Sequence, residues 1–349
     1  MLNRTSQPWA HELRSEDTTN SRHLLRQVRP CFFPRFLQTL VFSLLLTGLS
    51  ARGMAQAGTG ETVVQRATEQ FESSPLKATS LGDGLYLFSG DGGNVTAVVD
   101  DASTLLIDSG IDSRIAELGD AIHKTTMRPV TRLVSTHWHF DHIGGNAYFG
   151  AEGVTIIAQE NVKKRLSSIQ DVPFIGLQDG HYPPQALPTV TYSSSMTLHQ
   201  GSQHLKLANY GSAHTDGDTV IYIAPSNVVV VGDIFSNHFY PIIDLASGGS
   251  MDGIIRALDQ VLAHTDGQTK IVPGHGPIAT RADLQDYHDM LVQVRQRLQA
   301  LMAAGKTIDE AVAAAPTKDF DTQWGSGYVS SDVFTRMVYS SLNGSGTRR

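Results

Sequence analysis

From Leu85 onward, short apolar runs alternate with turn residues. The stretch GLYLFSGDGGNVTAVVDDASTLLIDSG (84–110) has β-branched and aromatic runs broken by Gly-Asp-Gly-Gly and Asp-Asp, which predicts a meander of three strands. A polar segment precedes it, from Gly58 to Ser80, with a short helix over Glu61 to Phe71. After Ile111 the texture changes to a helix over Ser113 to Lys124, the strand TRLVST, a Gly-Gly loop, the strand VTIIAQ and a helix over Glu160 to Ser168. Asp171 to Pro188 holds four prolines and two glycines, which predicts a loop over one face of the protein. Strands resume with MTLH, HLKLANY, TVIYIA and NVVVVGD. Then Ile254, Ile255, Leu258, Val261 and Leu262 recur with the period of an amphipathic helix. The strand TKIVPG and a long helix over Arg281 to Ala303 complete this body.

Two groups of strands with interspersed helices predict an α/β fold, with two sheets sandwiched between helical layers in one domain over 58–303. The remaining 304–349 predict two short helices packing back on that domain as a C-terminal extension. The N-terminus has a different character. Arginines, an apolar run from Phe36 to Leu49 and the small-residue ending Ala55-Gln56-Ala57 read as a signal peptide over 1–57, and hence as a periplasmic or secreted protein. The apolar run is shorter than the roughly 18 residues a stable membrane span needs, so no stable anchor is expected.

The only cysteine, Cys31, falls in this leader, which removes thiols from the possible ligands and nucleophiles of the exported chain. With the leader's 7 basic and 3 acidic residues set aside, 20 basic face 31 acidic residues, a charge of about −11. Nucleic-acid binding depends on phosphate contacts, so such a surface points to small-molecule substrates.

The chemistry concentrates in THWHFDH (136–142), where three histidines and an aspartate fall within six positions. At this chain's own residue frequencies, H-x-H-x-D-H arises by chance on the order of once in a thousand such sequences. It follows the strand TRLVST, at the strand end where α/β sites are commonly built. His137 and His139, two apart in extended chain, point the same way and can grip one ion. Asp141 and His142, past the turn, can face a second. Zinc takes about four donors, so more must come from elsewhere. The candidates are His214 in GSAHTDGD, Asp233 closing NVVVVGD and His275 in VPGHGP. Each also has an ordinary reading as a cap or turn residue.

In that order, together with LLIDSG and the Gly-Gly-Asn ending of THWHFDHIGGN, these motifs resemble the metallo-β-lactamase superfamily over roughly residues 80 to 290. The resemblance implies a four-layer αββα sandwich and a binuclear centre holding two zinc ions, with iron or manganese as alternatives. It places His137, His139 and His214 on one metal, Asp141, His142 and His275 on the other, and Asp233 as a bridge. It further implies that a bridging hydroxide attacks a substrate carbonyl, with Asp141 orienting it and Asp233 completing the catalytic pair. Asp108 is expected to support a metal-bound histidine from behind. The best-known zinc β-lactamases of the superfamily have cysteine or serine where Asp233 stands. An aspartate there is similar to glyoxalase II, lactonase and phosphodiesterase branches.

The expected activity is hydrolysis of a small lactam, lactone or ester outside the cytoplasm. An iron-dependent oxygenase similar to the persulfide dioxygenases is the alternative on the same fold. His238 and Tyr240, in the loop after Asp233, are candidates for substrate contact. Phe174, His181 and Tyr182 are candidates for the pocket wall.

Overall fold

The computed structural model describes residues 62–90 and 92–345, so the expected signal peptide lies outside the described residues. Fourteen strands occur among them. One sheet has the order β1 (Lys77–Gly82), β2 (Leu85–Ser89), β3 (Val95–Val99), β4 (Thr104–Ile107), β5 (Val130–Val134), β6 (Thr155–Gln159) and β9 (Val190–Tyr192). Its first four strands are antiparallel, the predicted meander with one strand added in front, and β4, β5, β6 and β9 run parallel. The second sheet joins β10 (Ser195–Gln200), β11 (Gln203–Ala208), β12 (Val220–Ala224), β13 (Val228–Val230) and β14 (Lys270–Val272). Only its last pair, β13 with β14, is parallel.

Ten helices accompany the sheets: α1 (Val63–Ser73), α2 (Ile115–Thr126), α3 (Phe140–Ile143), α4 (Asn146–Ala151), α5 (Glu160–Leu166), α6 (Met251–Ala263), α7 (Arg281–Ala303), α8 (Ile308–Ala313), α9 (Asp321–Trp324) and α10 (Ser331–Ser345). The layers follow from the two-residue period of a strand. Leu105, Ile107, Val134, Ile221, Val228, Val230 and Val272 point between the sheets into one apolar cluster. Their neighbours Leu106 and Leu133 point outward against Leu118 and Ile122 of α2 and Phe149 of α4. On the other side, Val220, Val229 and Ile271 meet α6, α7 and α10. The result is a four-layer αββα sandwich. Because β3, β4, β6 and β13 bury both faces, they read as continuous apolar runs, whereas β10 and β11 alternate.

Two expectations change. The proline-rich segment is not a plain loop: β7 (Ile169–Val172) and β8 (Leu177–Gly180) pair as an antiparallel hairpin. Val172, Ile175 and Leu177 are buried in the helical-side core, which gives the hairpin the apolar anchor that proline content alone does not reveal. The tail forms three helices instead of two. The last, α10, is held by Phe334, Met337 and Val338, spaced three and four apart on one buried face. The described residues form one compact unit by their contacts. Among the described residues, no helix is long and apolar enough to cross a membrane.

Candidate metal centre

Parallel pairing brings the chemistry to one edge of the sandwich. β4 and β5 run side by side, so Asp108 emerges next to the segment 135–142, and its N–H donates to Val134 O at 2.8 Å. β13 and β14 do the same in the second sheet, and Asp233 and His275 follow them. The short α3 begins directly after His139, so the chain turns there and carries Asp141 and His142 round to the other side of the cluster. His214 arrives on the loop between β11 and β12.

Two groups of buried ligand atoms result, with the atoms of each within 4.8 Å of one another: His137, His139, His214 and Asp233, and Asp141, His142 and His275. His139 Nδ1 lies 2.9 Å from His214 Nε2, and His142 Nε2 lies 3.3 Å from His275 Nε2. Asp233 faces both groups, with Oδ1 3.1 Å from His142 Nε2 and Oδ2 3.3 Å from His275 Nε2 and 3.8 Å from His214 Nε2. Asp141 Oδ2 is 3.2 Å from His275 Nε2.

The partners on the outer side set which nitrogen faces in. His142 Nδ1 donates to Asp108 Oδ2 at 2.8 Å, and His214 Nδ1 donates to the Ile242 carbonyl at 2.8 Å. His139 Nε2 donates to Asp244 Oδ2 at 3.1 Å. Thr136 Oγ1 donates to Asp108 Oδ2 at 2.8 Å and therefore accepts from His137 Nδ1 at 3.0 Å. Each of these four rings thus turns its other nitrogen to the centre, where a metal ion could take its lone pair. His137 Nε2 is buried with no hydrogen-bond partner.

His139 Nδ1 and His214 Nε2 at 2.9 Å need a proton or a metal ion between them, and with His137 Nε2 and Asp233 Oδ1 buried and unpartnered this donor set fits metal. The imidazoles differ in charge. Burial drives His137 well below the ordinary imidazole range, helped by the neighbouring His142. Burial and His139 bring His214 to about 4. For His142 burial acts in the same sense but is overcome by Asp233 and Asp141, which hold it well above its usual value. His275 is likewise lifted against its burial, to about 9, chiefly by Asp233. Asp233 is held well below the carboxylate range by His275 and His142 despite its burial. Burial pushes Asp108 up, against the pull of His142.

All seven motif-derived residues meet at the centre, and Asp108 sits behind His142. Tyr240 is a correction. It is buried, its ring stacks on Phe334, and its hydroxyl donates to Asp321 Oδ1 at 2.8 Å, so it faces the C-terminal helices and not the site. His238 is exposed with φ 70° and is absent from the cavity wall.

Three contributions escaped sequence reading. Asp244, which fixes His139, is itself held by the Ser247 N–H at 2.9 Å. Asn94 ties the loop carrying His275, donating through Nδ2 to the Pro273 and Gly276 carbonyls, each at 2.9 Å. Gly93 and Gly274 leave room for ligands, since an added Cβ would overlap the His142 ring in one case and Asp233 Oδ1 in the other. An Asp or Asn near a glycine in a loop was the only signal for these.

A narrow cleft, with room for about one water, opens onto the centre. Its floor is His139, Asp141, Asp233 and His275, and its roof is the buried face of α1. Phe71 of α1 stacks on His275 at 5.5 Å, and Tyr328 meets the same ring edge-on at 5.7 Å. The proline-rich segment does wall the cleft, through Ile175 and Leu177, whereas Phe174, His181 and Tyr182 are not in its lining.

The family profile described as "Metallo-beta-lactamase superfamily" matches residues 89–275, which span both strand-end motifs and every candidate ligand. The chain belongs to the metallo-β-lactamase superfamily. Within that superfamily it is similar to the metallo-beta-lactamase type 2 of Bacteroides fragilis, 23% identical over 58% of this chain and 80% of that one. It is 22% identical to the enzyme of the same description from Bacillus cereus, over 54% of this chain and 68% of that one. Among solved structures, a metallo-beta-lactamase from Pontibacter korlensis superposes with a TM-score of 0.52 at 21% identity, covering 62% of this chain and 99% of that one. The DIM-1 metallo-beta-lactamase gives 0.51 at 18% identity, covering 63% and 98%. These likenesses carry the metallo-β-lactamase fold, and the chain is a hydrolase of this superfamily with groups suited to metal.

Proposed function

We propose that this protein is an exported hydrolase that opens a small lactam, lactone or ester. In this reading His137, His139 and His214 would hold one zinc ion and Asp141, His142 and His275 a second, with Asp233 facing both groups. The observation that carries it is the set of four rings that each turn one nitrogen to the centre while the other is tied down from outside. Two cations bound there supply Lewis acidity and acidify water in the site, which makes a hydroxide nucleophile accessible near neutral pH.

The chain's own residues do the positioning. Asp141 Oδ2 orients the attacking water by accepting its hydrogen bond. The water oxygen bonds to the carbonyl carbon, the C–O or C–N bond breaks, and the water's proton passes to the leaving heteroatom. Asp108, Thr136 and Asp244 keep three imidazoles in the ligating tautomer. Phe71 and Tyr328 exclude bulk water from the His275 side. Export rests on the leader-like residues 1–57, and a small-molecule substrate in place of nucleic acid rests on the acidic remainder of the chain.

The test is metal analysis of the purified protein with hydrolysis of nitrocefin and a panel of lactones and esters, each with and without chelator. Roughly two zinc per chain and chelator-sensitive turnover of any panel member support the reading. A single iron per chain with oxygen consumption on a persulfide would refute it in favour of the oxygenase alternative.

A further inference from the structure

The candidate ligands are shut in. None of the seven exceeds 7% exposure, and the space between them and α1 has room for about one water. A hydrolase must bring a substrate carbonyl to that floor, so part of the wall has to move before the reaction. The floor is fixed, because its residues follow paired strands of the two sheets. The roof is built differently. Helix α1 belongs to neither sheet and covers the centre with one narrow face, Val63, Ala67 and Phe71, spaced four apart. Three residues, Ser74, Pro75 and Leu76, connect it to β1.

Polar fastenings hold both ends of this helix. Val64 N donates to the Ile175 carbonyl of the β7–β8 hairpin at 3.1 Å, and Arg66 Nη2 donates to the Tyr328 carbonyl at 3.0 Å. At the other end, Arg114 Nη1 donates to the carbonyls of Phe71 and Ser74, both at 2.8 Å, and to that of Gly90, so one side chain clamps the connection to the body. The family profile, over residues 89–275, includes neither α1 nor Tyr328. The closure is therefore added to the common fold from both flanks.

We infer that α1 is a lid, which closes the candidate metal centre in the structure and swings on residues 74–76 to admit substrate, with Arg114 as the clasp that holds it shut. Its purpose rests on the hydrolase reading above, whereas its motion does not. Opening separates Phe71 from the His275 ring and uncovers Asp141, Asp233 and His275 together, while the sheets keep the ligands in place.

Thiol trapping with a chromogenic aromatic disulfide tests the motion without metal or substrate. In a Cys31→Ser background, Ala67→Cys puts a thiol on the hidden face of α1, and Leu106→Cys puts one in the core beneath α2 as a reporter of global unfolding. The thiol of Ala67→Cys should react at least about 100-fold faster than that of Leu106→Cys. Adding Arg114→Ala, or independently Arg66→Ala, should accelerate it by roughly fivefold or more and leave the core reporter unmoved. Equal rates at the two positions, or no acceleration by either loosening variant, overturn the lid. The pair Val64→Cys and Ile175→Cys, whose backbones the hydrogen bond brings within disulfide reach, tests its purpose. Oxidation of that pair in the zinc-loaded protein should cut turnover of whichever panel substrate is used by at least about tenfold, and reductant should restore it. Turnover unchanged by the locked pair overturns the lid as an entry gate. No turnover in any variant with zinc bound overturns the hydrolase reading instead, and thiol trapping still decides whether α1 opens.

Discussion

Replacing Asp108 by Asn changes one atom and should misdirect two metal ligands. Asp108 accepts three hydrogen bonds: from the Thr136 N–H on Oδ1 at 2.7 Å, and on Oδ2 from Thr136 Oγ1 and His142 Nδ1, both at 2.8 Å. If Oδ1 keeps its backbone donor, the new NH2 group takes the Oδ2 position and faces two donors. Thr136 can turn its hydroxyl and accept, but it then donates to His137 Nδ1. His142 has no such freedom and must become an acceptor at Nδ1. In both rings the proton moves to Nε2, which points into the centre where a lone pair is needed. A hydrogen bond to a charged partner contributes about 1.5–3 kcal/mol, equivalent to roughly 10- to 150-fold in binding. That overlaps the 10- to 100-fold cost usual for removing such outer partners. Zinc affinity of Asp108→Asn, measured by competition with a chromophoric chelator, should fall by about that factor while far-ultraviolet circular dichroism stays unchanged. Affinity within about twofold of the wild type would show that Asp108 does not set the tautomers.

Four further outcomes follow from the same geometry. Asp244→Ala leaves His139 Nε2 without its acceptor and should weaken zinc binding by roughly 10- to 100-fold, read by the same competition; an unchanged constant would remove Asp244 from the site. Gly93→Ala places a methyl group on the His142 ring and should lower the zinc content of the purified protein below that of the wild type, as measured by elemental analysis. Tyr240→Phe removes the bond to Asp321 and should cost about 1 kcal/mol, a fall of roughly 2–4 °C in Tm, with kcat/KM unaltered; a large loss of kcat/KM would restore Tyr240 as a substrate contact. His275 is held above the ordinary imidazole value, at about 9, so at about pH 7.5 the metal-free protein carries its proton. Zinc must displace that proton, and its affinity should therefore fall as pH falls below about 9. Calorimetry in buffers of different ionisation enthalpy should show protons released on zinc binding, and none released would contradict the assignment.

What the sequence determined by itself was local. Leu105, Leu106 and Ile107 face alternate sides of their sheet because a strand has a period of two, so the strand-rich pattern already implied two sheets between helical layers. The long helix was legible to its ends, Arg281 to Ala303, because Thr280 and Asp283 form a capping box and the apolar residues keep a helical period. His137, His139, Asp141 and His142 could be recognised because one strand end and one turn hold all four, and the family resemblance supplied His214, Asp233 and His275.

The tertiary structure decided the rest. Asp244 lies 105 positions from His139, and Asn94 179 from Pro273, and a hydrogen bond across such a distance leaves no periodic trace in either segment. Tyr240 sits seven residues past Asp233, yet stacking on Phe334 turned its hydroxyl away from the candidate metal centre toward Asp321. Helix α1 could be predicted as a helix from its own residues. Its place as roof came from Ile175, Tyr328 and Arg114, three segments that meet it only once the strands have paired and closed the sandwich.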